Sequence, residues 1–89
     1  MNIEVLFFGK LRELTAVNRR ATVVKDDSKL ADLLERLNEE YGADFRRQVK
    51  NTQGLRILIN GREYAMLGGM EAPLKDGDTV VLLPPIFGG

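Results

Sequence analysis

The sequence predicts an α+β domain: one mixed sheet of about five strands, one main helix packed on one of its faces, and an extended C-terminal tail. Three observations predict it. Leu30, Leu33, Leu34, Leu37 and Tyr41 recur at spacings of three and four and so share one helical face. Short β-branched or aliphatic runs flank that stripe, and Asn60-Gly61, between two of them, is the pair that type I′ hairpins prefer. The last run, residues 80–83, ends abruptly at Pro84-Pro85, which donate no N–H to a sheet and carry the chain off it.

The 89 residues suffice for one small domain with a modest core. Lysine plus arginine number 13 and aspartate plus glutamate 13, so no net field draws the chain to nucleic acid or to an anionic membrane. No apolar run approaches the roughly 18 residues of a membrane span, and no charged-then-apolar leader precedes the first strand pattern; a soluble, cytoplasmic protein is expected. The chain contains neither cysteine nor histidine. That excludes a disulfide, a thiolate nucleophile and a cysteine zinc site, and it removes the commonest general base. Any chemistry falls to carboxylates, hydroxyls, lysines or the chain termini. Gly68-Gly69 lacks the Gly-Lys-Ser/Thr that completes a phosphate loop and reads as a turn.

Taken in order, residues 3–8 form the first strand, with Ile3, Val5 and Phe7 on one face and Glu4, Leu6 and Phe8 on the other. Glu4 belongs in water, so the face of Leu6 and Phe8 is expected to lie away from the helix as an apolar patch; a first strand buried on both sides is the alternative. Residues 9–19 suit a short helical turn within a long connection, and residues 21–25 a second strand. Asp26-Asp27-Ser28 reads as a helix start, with Ser28 as the cap and the aspartates at the positive end of the dipole. Capping accounts for this carboxylate pair better than metal binding does. Gly42 is expected to stop the helix in a left-handed conformation, and Glu39 and Glu40 stand at the unfavourable end of its dipole.

Residues 43–54 read as a polar connector in which Phe45 and Val49 can form one apolar helical turn. Arg46, Arg47, Lys50 and Arg56 make it locally basic, which reads as a solvated face more than as a docking site for a phosphate or an acidic partner. Residues 55–59 and 62–66 form the third and fourth strands around Asn60-Gly61. Residues 75–78 make a second tight turn, in which Asp76 and Asp78 serve turn chemistry and not an active site. Leu58 alternates onto the face of Arg56 and Asn60 and joins Leu6 and Phe8 in the candidate docking patch.

The chain divides into a domain, residues 1–83, and a tail, residues 84–89. At roughly 3.3 Å per extended residue the tail spans on the order of 15 to 20 Å. Gly88 and Gly89 have no side chains, so a terminal carboxylate can enter a slot too narrow for other residues. Ile86 and Phe87 leave two readings open: a grip for a partner, or a seal folded back on the domain.

Phe7-Phe8-Gly9, Arg12-Glu13-Leu14, Asn60-Gly61, Leu74-Lys75-Asp76-Gly77-Asp78 and Leu83-Pro84-Pro85-Ile86-Phe87-Gly88-Gly89 resemble the MoaD/ThiS-type sulfur carriers of the ubiquitin-like β-grasp superfamily. Within that family the likeness is greatest to the small subunit of molybdopterin synthase. It runs the whole chain, and its specificity lies in the order and spacing of short motifs. The resemblance implies that an E1-like enzyme spends ATP to adenylate Gly89, that a persulfide donor supplies sulfur to form a thiocarboxylate, and that the large synthase subunit receives it for molybdenum or tungsten cofactor assembly. Gly88 would give the tail access to both partners' active sites, with Pro84, Pro85, Ile86, Phe87, Phe8, Leu6 and Leu58 as partner-binding residues. No bound cofactor or metal is implied, and the catalytic groups would lie on the partners; the protein would be a carrier and not an enzyme.

Phe87 departs from the family, where a small residue often precedes the glycines. The segment from Leu67 to Met70 and the stretch 42–54 also resemble small archaeal modifier proteins and carriers for cysteine synthesis. The alternatives implied are a protein modifier joined through Gly89 to lysines, or a sulfur carrier for cysteine synthesis or tRNA thiolation.

Overall fold

The computed structural model describes residues 1–85. Strand β1 (Asn2–Phe7) leads into helix α1 (Gly9–Thr15), which ends at a left-handed Ala16, φ 63°, and passes to strand β2 (Arg19–Val23). Helices α2 (Leu30–Tyr41) and α3 (Ala43–Asn51) follow, then strands β3 (Arg56–Ile59) and β4 (Arg62–Glu63). Two short 3₁₀ turns, Tyr64–Leu67 and Gly69–Glu71, precede strand β5 (Thr79–Leu83). The expected mixed five-stranded sheet is present in the order β2-β1-β5-β3-β4, with β5 parallel to β1 and antiparallel to β3.

Period-two alternation decides which side is core. Ile3, Val5, Phe7, Ile57, Ile59, Val80 and Leu82 point to one face and are buried beneath Leu30, Leu33, Leu34 and Leu37 of α2. Fully burying each such side chain is worth roughly 1.5 to 3 kcal/mol before chain entropy is charged, so this layer is the main source of stability. Among the described residues no helix covers the opposite face. Leu6, Leu58, Val81 and Leu83 are half-buried there and Phe8 is 40% exposed, which removes the alternative of a first strand buried on both sides.

Several local expectations are corrected. The stretch 43–54 is not a connector: residues 43–51 form α3, whose Phe45 is fully buried and packs edge-on against Phe7 with ring centroids 5.9 Å apart. Tyr41 completes this trio, 5.6 Å from Phe7 and 5.4 Å from Phe45. Phe45, with Val49 one turn on packed against the same core, holds a helix whose remaining residues are mostly polar. Gly42 joins the two helices at φ 90° and ψ −167°, a positive φ outside the left-handed helical region.

Ser28 does not cap α2. Lys29 occupies the N-cap position, its N–H donates to Asp32 Oδ2 at 2.8 Å, and the Leu30 N–H donates to the Ala72 carbonyl at 2.9 Å. The segment before β5 pairs with residue 29 and, through the Ala72 carbonyl, supplies the acceptor that a serine would otherwise provide. Asp26 and Asp27 sit in the preceding turn, where Asp27 has φ 66°. Glu40 gains a reason: it pairs with Arg20 of β2.

The second strand starts two residues earlier than its β-branched run suggests, because its register against β1 runs from Leu6 opposite Arg19 to Asn2 opposite Val23. The fourth strand is only two residues long and gives way to 3₁₀ turns instead of extending to Met66, which is 84% exposed. Asn60 and Gly61, at φ 50° and 84°, make the expected hairpin turn. The basic stretch is a solvated face: Arg46 pairs with Glu35 at 2.8 Å and Arg47 with Asp44 at 3.1 Å.

Candidate functional site

Strand β5 is the central strand, and at its C-terminal end Pro84 and Pro85 leave the sheet. Because β1 is parallel to β5, the end of β1 and Gly9 lie on one side of that exit. Because β3 is antiparallel, its start and Gly54 lie on the other. Phe7 pairs with Leu82 and Arg56 with Leu83, and the Phe8 N–H donates to the Leu82 carbonyl at 3.2 Å. Pro84 then has no N–H to continue the ladder.

The open sheet face leads up to this exit. Leu6, Val81 and Leu58 stand in register across three adjacent strands, flanked by Arg19 of β2 and Glu63 of β4. Side chains in register on neighbouring strands are about 4.5 to 5.5 Å apart at Cβ, so the three form one apolar row. Leu83 and Phe8 extend it towards the tail. Ion pairs frame it: Arg19 Nε lies 3.3 Å from Glu4 Oε1, and Arg56 Nε donates to Glu63 Oε1 at 2.8 Å. Leu6, Phe8, Arg12, Asn18 and Arg19 line a shallow hollow at one end. An apolar centre with charges of both signs at its rim suits protein docking more than a small ligand.

The predicted docking residues Leu6, Phe8 and Leu58 are thus brought together on one face. Val81 and Leu83 were missed, although the inward Val80 and Leu82 imply by alternation that their neighbours point out. Pro84 is exposed and Pro85 half-buried at the exit, while Ile86, Phe87, Gly88 and Gly89 lie outside the described residues. Asp76 and Asp78 do turn chemistry as expected. Asp76 Oδ1 accepts the Asn2 N–H at 2.7 Å; Asp78 Oδ2 accepts the Lys75 N–H and Oδ1 accepts from Asn60 Nδ2, each at 2.8 Å.

Among the described residues no three histidine, cysteine, aspartate or glutamate side chains cluster to hold a metal, and no helix is long and apolar enough to cross a membrane. Two ionisable groups are displaced. A hydrogen bond and charge attraction to Glu71 raise Lys29, and burial, then the nearby Glu40, raises Tyr41. Lys29 and Glu71 tie the start of α2 to the second 3₁₀ turn, and Tyr41 belongs to the aromatic trio; neither is on the open face.

Comparison with known proteins agrees with this geometry. The family model described as the ThiS family matches residues 5–89. Small archaeal modifier protein 3 of Haloferax volcanii is 35% identical, with 100% of both chains covered. The molybdopterin synthase sulfur carrier subunit of Chlamydomonas reinhardtii is 33% identical, also over 100% of both chains. The solution structure of small archaeal modifier protein 1 from Methanosarcina acetivorans is 29% identical and superposes with a TM-score of 0.78, covering 99% of this chain and 96% of that one. The sheet order, the helices on a single face and these matches identify a ubiquitin-like β-grasp fold, and the chain belongs to the ThiS family of small sulfur-carrier and modifier proteins.

Proposed function

We propose that the protein is a sulfur carrier whose Gly89 carboxylate is adenylated by an E1-like enzyme and converted to a thiocarboxylate that supplies sulfur for molybdopterin synthesis. The observation that supports this reading is where the sheet ends: the central strand gives way to Pro84-Pro85 beside the end of the open apolar row, so one partner could hold the face and receive the residues that follow. On this reading residues 1–83 are a docking domain and residues 84–89 a reactive tail. A relative 33% identical over its full length bears the name of the molybdopterin synthase sulfur carrier subunit and supports the choice of pathway.

The chemistry asks little of this chain. A carboxylate oxygen attacks the α-phosphorus of ATP and pyrophosphate leaves; the outer sulfur of the donor's persulfide then attacks the acyl carbon and AMP leaves, giving an acyl disulfide, whose S–S bond a second thiol on the partner side attacks to release the thiocarboxylate and leave a disulfide behind. This chain supplies the carboxylate, the glycines that admit it to a narrow site and the face that docks, while the activating enzyme, the persulfide donor and the large synthase subunit supply the catalytic groups. Intact mass of protein isolated from its own cells tests the reading. A fraction in which one sulfur replaces one oxygen of the terminal carboxylate is expected, and its complete absence while the pathway is active overturns the proposal.

A second reading, a modifier joined through Gly89 to lysines of other proteins, is favoured by the 35% identity to a small archaeal modifier protein. It predicts Gly89 isopeptides in digested lysate. An empty search under conjugating conditions removes it.

A further inference from the structure

All seven glycines among the described residues have positive φ, so backbone conformation alone accounts for glycine at each. Two of them do more. A Cβ built at Gly9 would lie 3.2 Å from Pro84 Cγ and 3.5 Å from its Cδ, and one built at Gly54 would lie 3.2 Å from Pro85 Cβ. At Gly42, Gly61, Gly69 and Gly77 nothing lies within 4 Å, and at Gly68 only backbone atoms come near, at 3.6 Å or more. Close approach is therefore confined to two glycines, and both meet the two prolines at the tail exit.

We propose that Gly9 and Gly54 form a two-sided seat for Pro84 and Pro85 that aims the tail, making them positioning residues for activation and transfer of the terminal carboxylate. The topology explains why a seat is needed. Beyond Leu83 the prolines cannot donate to the sheet ladder, so hydrogen bonds no longer direct the chain and packing must. Gly9 follows the parallel neighbour of β5 and Gly54 precedes the antiparallel one, so the rings are held from opposite flanks. Fixed proline φ angles then turn two surface contacts into one exit direction. A reacting group must arrive within about 1 Å of its productive position, and missing by that much can lower a rate by about a hundredfold.

The functional consequence rests on the sulfur-carrier reading, and the test separates the two. Gly9→Ala, Pro84→Ala and the double variant are compared with the parent chain in ATP–pyrophosphate exchange by the host's own E1-like enzyme. Pro84→Ala removes the Cγ and Cδ that an alanine at position 9 would meet, whereas the left-handed strain of that alanine is the same in both backgrounds and cancels. Gly9→Ala is expected to lower kcat about fivefold or more, with KM changed less than about twofold because the docking face is intact, and this loss should shrink to about twofold in the Pro84→Ala background.

Equal losses in the two backgrounds overturn the seat. If Gly9→Ala does not fold, Gly54→Ala with and without Pro85→Gly supplies the same cycle. Proton NMR of the parent chain gives a readout that needs no enzyme: cross-peaks from Gly9 Hα to the Pro84 ring and from Gly54 Hα to Pro85 Hβ are expected, and their absence also overturns the seat. A parent chain that shows both cross-peaks but no exchange refutes the sulfur-carrier reading and leaves the seat standing as a structural feature.

Discussion

Replacing Phe45 with alanine tests whether α3, the helix hidden in a polar stretch of sequence, belongs to the core. Phe45 is fully buried and meets Phe7 and Tyr41 at centroid separations of 5.9 and 5.4 Å, so truncation removes a ring from the junction of β1, α2 and α3. Losing the transfer free energy of the ring and opening a cavity costs about 3 to 5 kcal/mol, with the lost edge-on contact included in that range. A domain of this size is stable by roughly 5 to 15 kcal/mol, so the variant keeps only part of its margin. At about 4 to 8 °C per kcal/mol, Tm falls by roughly 12 to 40 °C.

Urea denaturation followed by circular dichroism, backed by a thermal scan, measures the change. A lower midpoint at unchanged slope identifies a loss of stability and not a change in the unfolded state. Phe45→Leu, which keeps most of the volume, should recover at least half of the loss. A cost below about 1 kcal/mol for Phe45→Ala would place α3 off the core and refute the account of how it is held.

Leu58→Lys and Ile57→Lys differ by one position but address opposite faces. The first should fold with a stability change within about 1 kcal/mol and lose capture of the partner proposed above, the molybdopterin synthase large subunit, and the second should fail to fold; capture by folded Leu58→Lys at parent strength counts against the docking face. Asp78→Ala removes the acceptors for the Lys75 N–H and Asn60 Nδ2 and should cost about 1 to 2 kcal/mol in urea titration; no measurable change means the turn is held by its backbone alone. Burial holds the Tyr41 hydroxyl above its ordinary value of 10.0, so the fold favours the neutral form. That stabilising contribution is complete below the unfolded pKa and is lost as pH rises through the folded one. Tyr41→Phe should therefore flatten the fall in stability above pH about 10, and an unchanged alkaline arm refutes the assignment.

Much of the fold was legible because its signals are local. The leucine stripe of α2 needs only 3.6-residue periodicity, Asn60-Gly61 needs only the φ values of its turn, and the end of β5 needs only the missing N–H of proline. Helix α3 escaped as a full helix because its apolar stripe is a single pair, Phe45 and Val49, among charges. Ser28 was misassigned as a cap because the competing acceptor, the Ala72 carbonyl, comes from a segment more than forty residues away. The fourth strand was overextended because nothing in residues 64–66 announces that the sheet ends beside them.

The sequence by itself determined the fold class, the helix that packs on the sheet and the strand stop at Pro84-Pro85 from which the tail starts, since these follow from periodicity and turn chemistry; which sheet face stays open needed the structure. Only the tertiary structure decided what surrounds the start of that tail. Parallel pairing of β5 with β1 and antiparallel pairing with β3 bring Gly9 and Gly54 to opposite sides of two prolines some seventy-five and thirty residues away in the chain. No local pattern encodes that meeting, because a glycine's lack of a side chain acquires its use from whatever the fold brings against it.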